Sequence, residues 1–334
     1  DLKAEEVVYE GDGIAMEPFA AAVSFSGRYP LLDLKALSAR IPRVTGRFRD
    51  RAVQVEDIHL ETGKGRVNAA TREMSLPEIR FGSSLLKNIT ASLELENGTF
   101  KKIHIQGQET GLAKGAVGLG LLASGWQVDV KDGLQIRVRF DEEKGMAVTS
   151  EWTFQEAGFQ DPGGTIMGEN LSLKATLNAK TDPSGHVVSG DVAVDAGEGE
   201  VLYDRFYVNL KTHPMASRCT GTYNMQEREL QLSRLSLGLK DLLTCAVKGR
   251  IVEKKPAWQL DLTADIPELP LKPLFRFLVV EPYQAEKPFL GTLQLEGAIS
   301  AGVNVTGTSS AWTTRGSLRW LSLIHISEPT RLRR

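Results

Sequence analysis

Apolar and polar residues alternate with a period of two along almost the whole of this chain, and helical spacing is nearly absent. From Asn88 to Glu96, Ile89, Ala91, Leu93 and Leu95 point one way, and Thr90, Ser92, Glu94 and Glu96 the other. That is a β-strand with one dry face. Asn97 and Gly98 supply turn chemistry that tolerates positive φ. Alternation then resumes over Phe100 to Gln106, with Ile103 and Ile105 set against Lys102, His104 and Gln106, so the two segments form a hairpin. The pattern recurs at Val128 and Val130, followed by a turn at Lys131-Asp132-Gly133 and then Leu134, Ile136, Val138 and Phe140. It recurs again at Leu171, Leu173, Ala175, Leu177 and Ala179, before a turn over Thr181 to Gly185 that leads to Val192 and Val194. Further on come Leu230, Leu232, Leu235 and Leu237, then Leu243, Cys245 and Val247, then Leu260 and Leu262, then Leu293 and Leu295, and finally Val303 and Val305.

Two regions depart from this meander. Residues 266–288 hold five of the 14 prolines, which argues against a central strand there. Within them, Leu274, Phe275 and Leu278 share one helical face opposite Lys272 and Arg276, and Pro273 suits a first turn, so a short amphipathic helix is expected near 273–281. The second departure is Gly111 to Gly125, whose five glycines among apolar residues read as a pliable loop or short lid. The division expected is therefore a repeating meander over 1–265, a proline-rich connector with a short helix over 266–288, and C-terminal β repeats over 289–320. The tail from 321 to 334, LSLIHISEPTRLRR, breaks the strand pattern and resembles a translated sequencing adapter, a non-native addition. With Asp1 at the front, the chain reads as an internal or processed piece. Its longest apolar stretches fall short of the ~18 to 20 residues that cross hydrocarbon as a helix.

Strands with one apolar face must cover that face with a second sheet, a helix layer, barrel closure or a ligand. Only one short helix is written in the chain. Compact sandwiches of about 100 residues would need linkers, and no Ser/Gly linker or composition shift precedes the proline region. A membrane barrel needs aromatic girdles, whereas aromatics make up 7% of the residues. The expected fold is therefore all-β: an elongated, curved antiparallel β-sheet folded lengthwise into a groove, with the short helix near 273–281.

Forty basic against 42 acidic residues leave a net charge of -2, so the chain carries no electrostatic footprint for nucleic acid. His59, His104, His186, His213 and His325 are scattered without metal spacing, and no GxSxG elbow, Walker motif or GxGxxG loop is present. Asp141 to Glu143 and Asp195 to Glu200 read as solvated hairpin tips rather than calcium loops. No catalytic residue, metal ligand or cofactor is expected. Cys219 and Cys245 each sit in an alternating strand, either as small buried thiols or as a bridge between neighbouring strands.

The segment GTLQLEGAISAGVNVTGTSSAWTTRGSLRW, Gly291 to Trp320, has a strand-glycine-strand rhythm that resembles the C-terminal repeats of bacterial AsmA-like and TamB-like envelope proteins. ADIPELPLKPLFRFL, Ala264 to Leu278, is similar to the connector and helix that precede such repeats, and Leu31 to Asn97 has the same cadence. The N-terminal membrane anchor usual in that family is missing from this sequence. The resemblance implies a periplasmic protein of a Gram-negative envelope, with its parent held at the inner membrane. Its groove would shield phospholipid acyl chains for intermembrane lipid transport or outer-membrane biogenesis, with membranes or their proteins as partners. The lining would be Ile89, Leu93, Leu95, Ile103, Ile105, Leu134, Ile136, Val138, Leu171, Leu173, Leu177, Leu232, Leu237, Leu260, Leu262, Leu293 and Leu295. Alternation alone reports a buried face and not what buries it, and by itself favours these residues filling a solid core that touches no lipid. The alternative function is a non-enzymatic structural or adhesive β-rich surface module.

Overall fold

A computed structural model of the chain describes residues 2–11, 14–48, 51–84, 86–111, 125–141, 143–254 and 257–326. The fold is all-β, with 75% of residues in antiparallel strands and, among the described residues, one short helix, far above the roughly 20–25% strand of an average globular domain. The chain divides into two compact units: Asp1–Gly164 together with Lys174–Gly185, and Thr165–Leu173 together with His186–Arg334.

The first unit is a meander. Its strands are β1 (Leu2–Gly11), β2 (Ile14–Arg28), β3 (Leu31–Phe48), β4 (Arg51–Thr62), β5 (Gly65–Asn68), β6 (Glu73–Gly82), β7 (Ile89–Glu96), β8 (Thr99–Gln108), β9 (Gln127–Asp141) and β10 (Gly145–Gln160). Each pairs with its sequence neighbour, except that β4 and β5 lie in line as two short partners of both β3 and β6. The β7–β8 hairpin turns at Asn97 and Gly98, with φ of 54° and 80°, the left-handed pair that a two-residue hairpin turn requires.

Strand β11 (Ile166–Thr181) contributes its first half to the second unit and its second half to the first. The second unit continues with β12 (Val187–Tyr203), β13 (Phe206–Asn209), β14 (Met215–Asn224), β15 (Glu229–Leu239), β16 (Leu243–Lys254), β17 (Ala257–Pro270), β18 (Leu293–Thr308) and β19 (Ala311–Ile326). β13 and β14 share one edge of β12, and from β14 to β19 every strand pairs with the next. Between β17 and β18 lies a helical segment built from Leu271–Phe275, a π-type turn over Arg276–Val280, and Glu281–Tyr283.

Several expectations are corrected by this structure. Lys131-Asp132-Gly133 is not a turn: β9 runs straight through it, with Asp132 paired to Phe154. The reason is long-range. Asp132 is buried, and its carboxylate accepts the Thr110 hydroxyl at 2.8 Å and the Gly111 N–H at 3.2 Å, which fixes the end of β8 against β9. Asp195 to Glu200 lies within β12 rather than at a hairpin tip, with Asp195 accepting two 2.9 Å bonds from Arg218 on β14. Pro267 sits inside β17. A bulge between Ile266 and Leu269 faces β18, and the registered pairs with β16 end at Asp265, so no ladder hydrogen bond is lost. Helix phase also differs, with Phe277 turned to the sheet and Leu278 exposed at 42%. The π-type turn, closing over five residues instead of four, rotates the following side chains. The β19 ladder continues beyond Trp320 to Ile326. The glycine-rich stretch 112–124 lies outside the described residues.

Thr110 is fully buried and Asp132 nearly so, and removing the carboxylate leaves a buried hydroxyl and an amide without an acceptor. Asp132→Ala is expected to lower stability by about 1–3 kcal/mol. Glu78→Ala, which breaks only an exposed pair with Arg80, should cost under about 0.5 kcal/mol. Urea unfolding of the two variants beside the parent checks the contrast.

Candidate functional site

Directly paired residues of an antiparallel sheet share a face, so the registers show which dry-face residues come together. In the first unit four rows cross the strands. Met74 of β6, Leu95 of β7 and Phe100 of β8 form the first. Leu76, Leu93, Ile103, Val138 and Val148 form the second, and Ile79, Ala91, Ile105, Ile136 and Ser150 the third. Phe81, Ile89, Gly107, Leu134 and Trp152 form the fourth. Ser150 is the one hydroxyl in these rows, and it is buried with the Trp152 indole N–H donating to it at 3.0 Å. Eight expected lining residues therefore occupy one contiguous apolar face. On β11, Lys174 pairs with Glu151 of β10 at 2.9 Å, which by alternation turns Leu173 and Leu177 to the other side, the apolar one.

The second unit repeats the arrangement. Val188, Tyr223, Leu230, Ile251, Leu260 and Gly307 make one row. Gly190, Gly221, Leu232, Gly249, Leu262 and Val305 make the next, and Val192, Cys219, Leu235, Val247, Ala264 and Val303 a third. Leu237 lies in a fourth with Ser217 and Cys245. Leu293 and Leu295 follow on β18 in phase with Ile299 and Val303. The middle row carries three glycines. Gly249 has φ +141°, and a Cβ there would stand 2.1 Å from the Asp261 carbonyl oxygen, so β16 and β17 approach in a way only glycine permits.

Burial distinguishes this face from a packed core. Of the 17 expected lining residues, Ile89, Leu134, Leu171 and Leu232 are buried, Leu237 is 36% exposed, and the remaining twelve are half-buried. Interior residues of a two-layer sandwich would be closed off by the opposing sheet.

The opposite face is polar and charge-matched. Glu94 meets Lys102 at 2.8 Å, Glu96 meets Lys101 at 2.7 Å, and Lys131 meets Glu156. The hydrogen bond from Lys101 holds the Glu96 carboxyl below the usual carboxylate range, and the bond to Glu156 holds the Lys131 ammonium above its ordinary value. A recess of about 780 Å³ opens on this side, lined by Thr90, Gln106, Gln135, Glu151 and Thr153 among others. Amides and hydroxyls line it together with Glu109 and Glu151, the latter paired with Lys174, and it forms a wetted concavity of the polar face. No group of three or more His, Cys, Asp or Glu able to hold a metal ion occurs among the described residues.

Sequence reading missed the Thr110–Asp132 lock, because its partners are 22 residues apart and Asp-Gly is ordinary turn chemistry. It also missed Arg205 and Phe206, whose contacts with the helical segment depend on tertiary structure. Cys219 and Cys245 are both free. They lie on β14 and β16 with β15 between them and are offset by one row, so at ~4.8 Å per strand they stand more than about 9.6 Å apart, beyond the reach of a disulfide.

Thiol titration of the denatured, unreduced protein should yield two free thiols per chain. Gly249→Ala is expected to cost about 1–3 kcal/mol, while Gly63→Ala, where a Cβ meets nothing within 4 Å, should stay within about 0.5 kcal/mol of the parent, both read by urea denaturation. No family model, curated protein or solved structure matches the chain.

Proposed function

We propose that the apolar faces of the two units shield phospholipid acyl chains, and that the protein serves intermembrane lipid transport or outer-membrane biogenesis in the periplasm of a Gram-negative envelope. The observation that supports this reading is the set of largely apolar rows, most of whose residues stay half-buried. Leu93, Ile103, Val138 and Val148 stand side by side over four strands without being sealed. A hydrocarbon chain of about sixteen methylenes left in water costs on the order of 13 kcal/mol at ~0.8 kcal/mol each. A face that removes most of that contact, and that repeats equivalent positions from strand to strand, lowers the barrier to movement without a deep trap. The role needs no chemical step, and we assign it none. The charge-matched reverse face suits water.

The test is lipid content. Phospholipid extracted from the purified protein and quantified by mass spectrometry should be present at stoichiometric levels. Leu93→Asp and Leu262→Asp should each reduce it at least fivefold, since each sets a carboxylate among apolar rows. Thr90→Asp, on the polar side of β7, should leave it unchanged. Protein without lipid, or equal loading in all three variants, would favour a structural or adhesive β-rich module.

A further inference from the structure

In the second unit the strands end unevenly. β14, β15 and β16 stop near Met215, Leu239 and Leu243, which are registered with one another and with Ala196 of β12. On one side of this notch β12 runs on to Tyr203 and β13 takes the place of β14. On the other side β17 runs on to Pro270, and β18 extends past it to Leu293 with only β19 as a partner. The helical segment 271–283 occupies the notch. Its first turn packs on the β17 and β18 side and its last turn reaches β13.

The two attachments differ in kind. At the root, the chain enters directly from β17, and Leu269 and Leu271 are buried; with Ala196, Leu210, Leu242 and Leu290 they make six of the eight buried hydrophobic residues among the described residues of this unit. At the tip the contacts are few and peripheral. Phe277 lies against Phe206 with ring centroids 6.4 Å apart. The Arg205 guanidinium sits 4.9 Å from the Tyr283 ring centre and 3.7 Å from the Glu286 carboxylate. Between root and tip stands the π-type turn of Arg276–Val280, an irregularity that recurs where helices serve function. Phe206 pairs with Tyr203, in phase with Val201 and Val208, so the tip rests on an apolar row.

We propose that the segment is a latch, rooted at Leu271 and fastened by Arg205 and Phe206, that closes one end of the apolar face of this unit, and that acyl chains exchange there only when its tip undocks. The proposal rests on the lipid-shielding reading and adds a control point to it.

Two measurements test it. Hydrogen–deuterium exchange in the full chain should show the amides of 276–283 exchanging at least tenfold faster in Arg205→Ala than in the parent, with β15 and β16 unchanged. For the second, Cys219→Ala and Cys245→Ala remove the native thiols, and Phe206→Cys with Phe277→Cys are joined by a short bismaleimide. The cross-linked protein, loaded with fluorescent phosphatidylethanolamine, should pass it to phosphatidylcholine vesicles at least fivefold more slowly than the same variant left unlinked. Loading in every form with unchanged transfer rates, or unchanged exchange in Arg205→Ala, overturns the latch and leaves the lipid reading standing. Absence of loading in every form overturns the lipid reading, and the latch's role in exchange with it.

Discussion

Side-chain alternation with a period of two is the constraint on which the rest of this structure depends, because a one-residue slip in any strand would send its apolar residues to the wet side. Phase is kept across long strands by bulges, and the sequence is written around them. Leu232 and Leu235 are three residues apart, which by simple alternation places them on opposite sides. The register shift between them restores Leu235 to the row of Cys219 and Val247. Leu76 and Ile79 do the same against β7, and Ile266 and Leu269 against β18. At Glu156, with φ +50°, the bulged residue meets Lys131 of the partner strand, so an irregular backbone is matched by an ion pair.

Much of this was legible because strand chemistry is local. The alternation over Asn88 to Gln106 and the Asn97-Gly98 turn place the β7–β8 hairpin without reference to anything distant. What was not legible had distant causes. Asp132 and Gly133 form ordinary turn chemistry until Thr110 arrives beneath them, and burial then favours a satisfied carboxylate in a continuous strand. Pro267 argues against a strand until the absence of a β16 pair at that position makes its missing N–H immaterial. The helix pattern gave the right segment but the wrong inner residue, because the π-type turn cannot be read from a period of 3.6. For the candidate site, alternation identified the face, and the registers assembled it. Leu237, the most open of the expected residues, shares its row with Ser217 and Cys245 rather than with branched aliphatics.

The polar face has a different task. Its ion pairs are exposed, and pairs of that kind contribute little to stability. They do tie neighbouring strands together in the observed register. Arg218 with Asp195, Lys174 with Glu151 and Lys102 with Glu94 join neighbouring strands in this way. Wetness on one side and charge-matched register together allow the other side to remain apolar without the strands sliding to hide it.

The two ends of the second unit's apolar face are then physically unlike. At the notch stand the buried Leu269 and Leu271 and the helical segment, and any guest would have to displace Phe277 from Phe206. Toward Val188, Tyr223 and Leu260 the residues remain half-buried. A hydrocarbon lying across the rows would gain similar contact at each strand and so move with little resistance along them, while meeting a wall at the notch. On the lipid-shielding reading, the two ends therefore differ in how readily they exchange a chain. A uniform apolar face permits motion along it, and an end that opens only when a lightly held segment lifts exchanges more slowly in both directions.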